Sequence, residues 1–360
     1  MRTASYLKWL QVVTLVLLVS VSCYSAPREK SFVIGFYNVE NLFDTVDDPN
    51  TNDQEFLPEG KNHWTEDKYR MKVHNMAQAI RAMRDENGVF HTILGLAEVE
   101  NRSVVEDLVK DPQIAEADYR IVHFDSPDAR GIDVAFLYRA DNFKFLESEL
   151  IPFTVKGTGV KLDSSPESLK NFRTRDILMI HGTIAGEHFA FYVAHLPSRI
   201  GNKGSDLRSV GADIIYRHSR MMEERYPGIK VAVMGDMNDN PGDESQKIWL
   251  HGKAEISQLG KDDFFDPFEA VHATGIGSEE YRGEWNIFDI IQVNSNLANP
   301  KKGLRIKRIP GKEFYGEIFN RPFLTQQDGK FKGSPFRSFS YGNFINGYSD
   351  HYPTFIIIGK

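Results

Sequence analysis

The chain has 360 residues, enough for one large domain or two ordinary ones. Its 41% hydrophobic and 26% charged residues are those of a globular protein, which excludes wholesale disorder and a collagen-like fibre. The formal charge of −7 excludes coating of nucleic acid by bulk charge, so any bound polyanion must be held locally.

The first element is an apolar run from Trp9 to Val21, preceded by Arg2 and Lys8 and broken only by Gln11, Thr14 and Ser20. A bilayer span needs about 20 apolar residues, so this shorter run reads as a secretion signal over residues 1–26, with 27–360 as one domain. No transmembrane helix is then expected in the mature protein. Cys23, the only cysteine, stands where a bacterial lipoprotein is cut and acylated, whereas the small Ser20 and Ser22 also suit ordinary cleavage. The expected location is therefore outside the cytoplasm: lipid-anchored through Cys23 in the periplasm, outer membrane or cell surface, or freely secreted. Beyond Cys23 no thiol remains, which excludes disulfides, cysteine metal sites and cysteine nucleophiles. The mature protein is expected to be a monomer.

Strands are predicted at 32–39, 92–99, 120–124, 133–138, 177–184, 189–195, 230–234, 287–293 and 354–358, from short runs rich in β-branched and aromatic residues. Two segments have helical spacing instead. Tyr69, Val73, Met76, Ile80 and Met83 share one face, with Thr65 at the start. Leu207, Val210, Ile214, His218 and Met221 share another, with Ser205 as the expected cap and Pro227-Gly228 as the stop. Helices interleaved with many strands indicate a layered α and β domain.

Several strands run into polar clusters. Phe32 to Tyr37 leads into Asn38-Val39-Glu40-Asn41, and Thr92 to Ala97 leads into Glu98-Val99-Glu100-Asn101. Phe189 to Ala194 leads into His195-Leu196-Pro197-Ser198-Arg199, and Val231 to Gly235 leads into Asp236-Met237-Asn238. Tyr348-Ser349-Asp350-His351-Tyr352-Pro353 precedes the last strand. A lone polar strand end is usually a turn. Five in one chain supply one site's chemistry: carboxylate and amide oxygens for a hard divalent cation, two histidines for phosphate contact or proton transfer, and Asp133 and Asp289 to orient them.

With Gly235-Asp236-Met237-Asn238 and Ser349-Asp350-His351-Tyr352-Pro353 as its most specific motifs, and Asn38, Glu98 and His195 at matching strand ends, the sequence resembles the endonuclease/exonuclease/phosphatase superfamily of metal-dependent phosphoesterases. The resemblance runs from about Ser31 to Ile358. It implies an α+β fold, a four-layer α/β/β/α sandwich whose two central, mostly antiparallel sheets are flanked by helices. It also implies a Mg²⁺ ion, with Mn²⁺ or Ca²⁺ as substitutes, held by Glu98 with Asn38 and Asp350. Asp236 would orient or deprotonate the attacking water, and Asn238 would hold a phosphoryl oxygen. His351, backed by Asp289, and His195 would stabilise charge from either side. Asp133 is the expected partner of His195, the alternative being a turn aspartate. A phosphate-binding arginine is expected at Arg175 or Arg173, the alternative being a salt bridge with Asp176 or a surface charge.

The implied activity is phosphodiester hydrolysis by in-line attack of water, with an endonuclease acting on DNA or RNA as the leading substrate reading. Between Lys301 and Arg337, ten Lys or Arg face only Glu313, Glu317 and Asp328, and six aromatics (Phe314, Tyr315, Phe319, Phe323, Phe331, Phe336) are interleaved with them. Such residues either track a phosphate backbone and stack on bases or pack inward beneath a solvated face. A phosphomonoesterase, or a lipid or inositol-phosphate phosphodiesterase, would use the same site. A surface binding module that has lost catalysis would have no need for the full polar set.

Overall fold

A computed structural model describes residues 30–162, 169, 172–199 and 204–360. The signal segment and Cys23 lie outside the described residues. In chain order the first half contains β1 (Phe32–Leu42), α1 (Glu66–Asn87), β2 (Ile93–Val99), α2 (Arg102–Lys110), β3 (Tyr119–His123), β4 (Asp133–Arg139), β5 (Lys144–Ile151), β6 (Ile177–Ile184) and β7 (Glu187–His195). Then come α3 (Ser205–Arg225), β8 (Lys230–Asp236), β9 (Gly252–Lys253), β10 (Phe264–Phe265), α4 (Phe268–His272), β11 (Glu279–Tyr281), β12 (Glu284–Asn286) and β13 (Asp289–Asn294). The chain closes with α5 (Ser295–Ala298), β14 (Arg305–Lys307), β15 (Gly316–Ile318), β16 (Phe339–Ser340), β17 (Asn343–Phe344) and β18 (Thr354–Gly359).

Two sheets form the centre. One runs β14-β18-β1-β2-β4-β3, with β15 also on β18; the other runs β5-β6-β7-β8-β13-β10-β9. Neighbours are mostly antiparallel, but β1 and β2 are parallel, as are β7 and β8. The central strands are buried along nearly their whole length, which is why they read as continuous apolar runs rather than alternating ones. Helices α1 and α2 cover the first sheet and α3 covers the second, while β1, β2 and β4 pack on β7, β8 and β13. The architecture is thus the four-layer α/β/β/α sandwich. Gly95 permits the close approach of the sheets: a Cβ there would lie 2.7 Å from Met234 Sδ. No helix among the described residues is long and apolar enough to cross a membrane.

The differences from expectation have local causes. Strand β5 is an edge strand whose exposure alternates, so its sequence KFLESELI carries no apolar run. Helix α2 has nine residues, too few for a clear period, although Asn101 caps it by accepting from Val104 N–H at 3.1 Å. At α3, Gly204 takes the cap position with φ +82°, so Ser205 is the first helical residue rather than the cap.

Candidate active site

Parallel pairing brings the C-terminal ends of β1 and β2 together, and likewise those of β7 and β8. In register, His195 faces Asp236 across β7 and β8, and Asp236 faces Asp289 across β8 and β13. A side chain at position 235 is ruled out by geometry, because a Cβ on Gly235 would lie 2.1 Å from Ala194 O. On the other sheet, the pairing of β1 with β2 shifts between Asn38 and Leu42, and that of β2 with β4 shifts between Ala97 and Val99. Glu40, Asn41 and Glu98 all adopt left-handed backbone there, with φ of 48°, 52° and 65°. Bulges of this kind re-aim side chains at strand ends, and the strain they store is a mark of functional sites.

The result is a compact buried cluster. Asn38 Nδ2 donates to Asp236 Oδ2 at 3.0 Å and to Glu98 Oε1 at 3.4 Å, while its oxygen accepts from Glu40 N–H at 3.0 Å. Glu98 Oε2 accepts from Asn41 N–H at 2.9 Å. His195 Nε2 lies 3.6 Å from Asp236 Oδ2 and 3.9 Å from Glu98 Oε1. His351 Nε2 approaches the same Asp236 oxygen at 3.8 Å, and its Nδ1 is 2.7 Å from Asp289 Oδ2. Asp236 Oδ1 accepts from Asn238 N–H at 3.0 Å, and Asn238, at φ +50°, donates its amide to Leu196 O at 3.0 Å. Asp350 Oδ1 lies 4.0 Å from His351 Nε2.

The two imidazoles are held in different protonation states. Burial opposes a charge on His351, but Asp289, through both charge and hydrogen bond, with Asp236 and Asp350 beyond it, holds its pKa well above the usual value. Burial, reinforced by the charges of Arg175, Arg130 and His351, holds His195 well below it. Burial raises Asp236 to about 6, with His351 opposing and Asp289 adding to the shift. Asp350 is held low despite burial by the charges of His351 and Arg337.

Three expectations are corrected. Asp133 does not pair with His195: its Oδ2 is 3.2 Å from His123 Nε2 and its Oδ1 accepts from Ser126 N–H at 2.9 Å. His195 Nδ1 is left buried without a hydrogen-bond partner among the described residues. The Arg175 guanidinium is not turned to a substrate. It is buried and donates to His195 O, Leu196 O and Asp128 at 3.0, 2.9 and 2.9 Å, so it braces the loop that presents His195. Arg173 is exposed and donates to Phe172 O at 2.9 Å. The basic stretch from Lys301 to Arg337 is not one surface either. Lys312 and Arg321 pair with Glu317, Phe314, Tyr315, Phe319 and Phe323 pack on the core, and only Lys330, Phe331 and Arg337 share a groove with Asp350.

Sequence reasoning missed a half-buried brace behind Asp350. Arg337 NH2 is 2.6 Å from Asp350 Oδ2, and its Nε is 3.8 Å from Glu40 Oε1. Lys72 of α1, fully buried, lies 3.8 Å from Glu40 Oε2 and donates to Ser338 Oγ and Tyr348 O. A lysine on the apolar face of a predicted helix was the available signal. Glu279 was missed as well. Strand β11 bridges directly to His351, and burial, against the charge of His351, raises the Glu279 carboxyl to about 7.

The donor set fits a hard divalent cation. Asp236, Asp289 and His351 place ligand atoms within 4.8 Å of one another, Glu98 approaches His195 and Asp350 approaches His351 beside them, and no thiol is near, since the single cysteine is at position 23. Glu98 and Asp350 could hold such an ion. Asn38 turns its NH2 rather than its oxygen toward the carboxylates, so it serves here as their donor.

Solved structures with the same architecture include TDP2 from D. rerio complexed with single strand DNA product (15% identity, TM-score 0.53, covering 92% of this chain and 100% of that one). An endonuclease/exonuclease/phosphatase family protein from Bacteroides thetaiotaomicron is similar at 14% identity and TM-score 0.53, covering 92% and 99%. The human Nocturnin catalytic domain with bound sulfate is similar at 14% identity and TM-score 0.50, covering 91% and 94%. At these identities the likeness shows the fold alone. No curated protein matches the sequence. The family profile matches residues 33–360, and the chain belongs to the Endonuclease/Exonuclease/phosphatase family.

Proposed function

We propose that the protein is an exported, divalent-cation-dependent phosphodiester hydrolase that cleaves nucleic acid, with Mg²⁺ as its ion and Cys23 as its lipid anchor. The observation that carries the catalytic reading is the pair of imidazoles on either side of Asp236, one held neutral and the other cationic. A phosphodiester resists hydrolysis because its anion repels nucleophiles and its leaving alkoxide is poor. The bound cation would supply positive charge to the phosphoryl oxygens. Asp236, fixed by Asn38 and by the Asn238 N–H, orients the attacking water and takes its proton. His351, kept cationic by Asp289, stabilises the charge that develops on the phosphoryl group, and neutral His195 approaches Asp236 from the other sheet neighbour.

Nucleic acid is favoured among phosphoesters by a groove of about 480 Å³ next to Asp350 and Arg337, lined by Tyr281, Arg282, Lys330 and Phe331. Its walls are the β11–β12 hairpin and the loop around Ser334, joined by Ser334 Oγ donating to Glu280 Oε2 at 2.6 Å. Cations beside exposed rings suit a phosphate backbone with accessible bases. The complex of D. rerio TDP2 with single strand DNA product is in keeping with that choice.

Purified protein is to be offered plasmid DNA, RNA, a simple chromogenic diester and a monoester, with Mg²⁺ and with EDTA. Cleavage of DNA or RNA and of the diester, abolished by EDTA, is the expected result. Hydrolysis of the monoester alone would overturn the nuclease reading, and inertness toward every substrate would overturn the catalytic one.

A further inference from the structure

The end of the sandwich away from the active site carries a second polar cavity, of about 660 Å³. Glu187, the first residue of β7, lines it, whereas His195, the last residue of that strand, is in the active site. At about 3.3 Å per residue, the extended strand separates the two by roughly 26 Å. The cavity's carboxylate is already satisfied: Lys230 Nζ is 2.8 Å from Glu187 Oε2, and Leu304 N–H donates to Oε1 at 2.9 Å. Around it stand exposed Lys301, Lys302 and Lys360, with Arg305 completing the rim. The Arg305 guanidinium donates to Pro300 O at 3.4 Å, while its Nε is buried with no hydrogen-bond partner among the described residues. A chain of net charge −7 has thus gathered five cations around one neutralised carboxylate.

We infer that this cavity and its lysine rim bind the phosphate headgroups of an anionic lipid surface. Clustered ammonium groups with a guanidinium match phosphate oxygens, and a membrane presents many such groups at once. Position selects a lipid surface over free phosphate or substrate. Phe32, where β1 begins, pairs with Ile358, and Arg305 pairs with Gly359, so the chain enters the folded unit beside the basic rim. From Cys23 to Phe32 the chain reaches at most about 30 Å. An anchor at Cys23 would leave the basic end within reach of the membrane. The choice of a lipid surface rests on the export reading and is independent of the catalytic one.

The test uses the full chain with Cys23→Ser, which removes any acyl group, in sedimentation with phosphatidylcholine vesicles with and without about one-third phosphatidylglycerol. The N-terminal segment, with Arg2 and Lys8, is identical in every variant, so the readout is the ratio of the two partition coefficients compared between unmutated and mutated surfaces. A ratio of at least tenfold is expected near 0.1 M salt, collapsing toward one near 0.5 M. Lys301→Glu/Lys302→Glu/Lys360→Glu should lower it at least tenfold as well. The milder Lys→Gln triple should reduce it at unchanged thermal unfolding, which separates charge from misfolding. A ratio near one in the unmutated surface overturns the inference. So does abolition of the ratio by millimolar inorganic phosphate at constant ionic strength, which would make this a free-anion site. Loss of oligonucleotide cleavage in the triple variant would put the patch on the substrate path and overturn it too. The vesicle readings do not require the protein to be a nuclease, so their failure is distinct from failure of that assignment.

Discussion

His351 Nδ1 lies 2.7 Å from Asp289 Oδ2, with both side chains buried, and this contact fixes which way the ring faces. With Nδ1 held, Nε2 points to Asp236. Burial alone would neutralise the imidazole, and the aspartate reverses that preference. His351→Ala and Asp236→Ala should each lower kcat by about 10²–10⁴ with the fold intact by circular dichroism. In Asp289→Asn the histidine loses its anion, its pKa drops toward the ordinary value, and the cation is lost at lower pH. The alkaline limb of kcat should therefore move to lower pH in this variant, as a pH–rate profile would reveal. An unmoved limb would remove Asp289 from the catalytic assembly.

Glu98 is the carboxylate whose Oε1 borders both His195 and the Asn38 amide. If it holds the cation, Glu98→Gln should raise the Mg²⁺ concentration needed for half-maximal activity by about tenfold or more. Titrating Mg²⁺ into EDTA-stripped protein and following diester hydrolysis checks this. Equal midpoints for both proteins would assign the ion elsewhere.

Arg175 is a brace, and its loss should be felt in stability before substrate binding. Removing one partner of the buried Arg175–Asp128 pair costs about 3–5 kcal/mol. Arg175→Lys should rescue little, since a point charge cannot reach Asp128 and two carbonyls together. Chemical denaturation of both variants measures this. A raised KM at wild-type stability would instead restore the phosphate-binding role.

His91 predicts acid sensitivity remote from the site. It is fully buried, neither ring nitrogen has a hydrogen-bond partner among the described residues, and burial lowers it to about 4. The unfolded chain binds a proton near pH 6.5 that the folded chain refuses until near 4, so stability is complete above the first value and falls as pH drops between them. The loss amounts to about 3 kcal/mol at most. His91→Met should flatten this part of the curve when unfolding free energies at pH 7 and pH 4.5 are compared. An unchanged difference would show that other groups carry the acid response.

The fold was legible because its centre is built from buried strands and long amphipathic helices, whose apolar patterns reflect burial directly. All nine predicted strands and both predicted helices exist, with ends displaced by a few residues. The edge strand β5 escaped because solvent on one side dilutes its pattern, and the short C-terminal strands escaped because two or three residues hold no period. Asn38, Glu98, His195, Asp236 and Asn238 could be named because they close patterned strands, His351 because it precedes one and Asp289 because it lies in one, and the family resemblance joined them into one site.

What residue order alone determined is the layered α and β class, the absence of thiol chemistry, and the identity of the polar residues that end the central strands. Tertiary structure decided the pairings. Asp133 went to His123 and not to His195, Arg175 turned to backbone carbonyls, and Lys301 and Lys330 separated to different ends of the molecule. The physical reason is that burial and periodicity are properties of a segment. A hydrogen bond or ion pair is a property of two segments whose distance is set by sheet register, bulges and the packing of one layer on another.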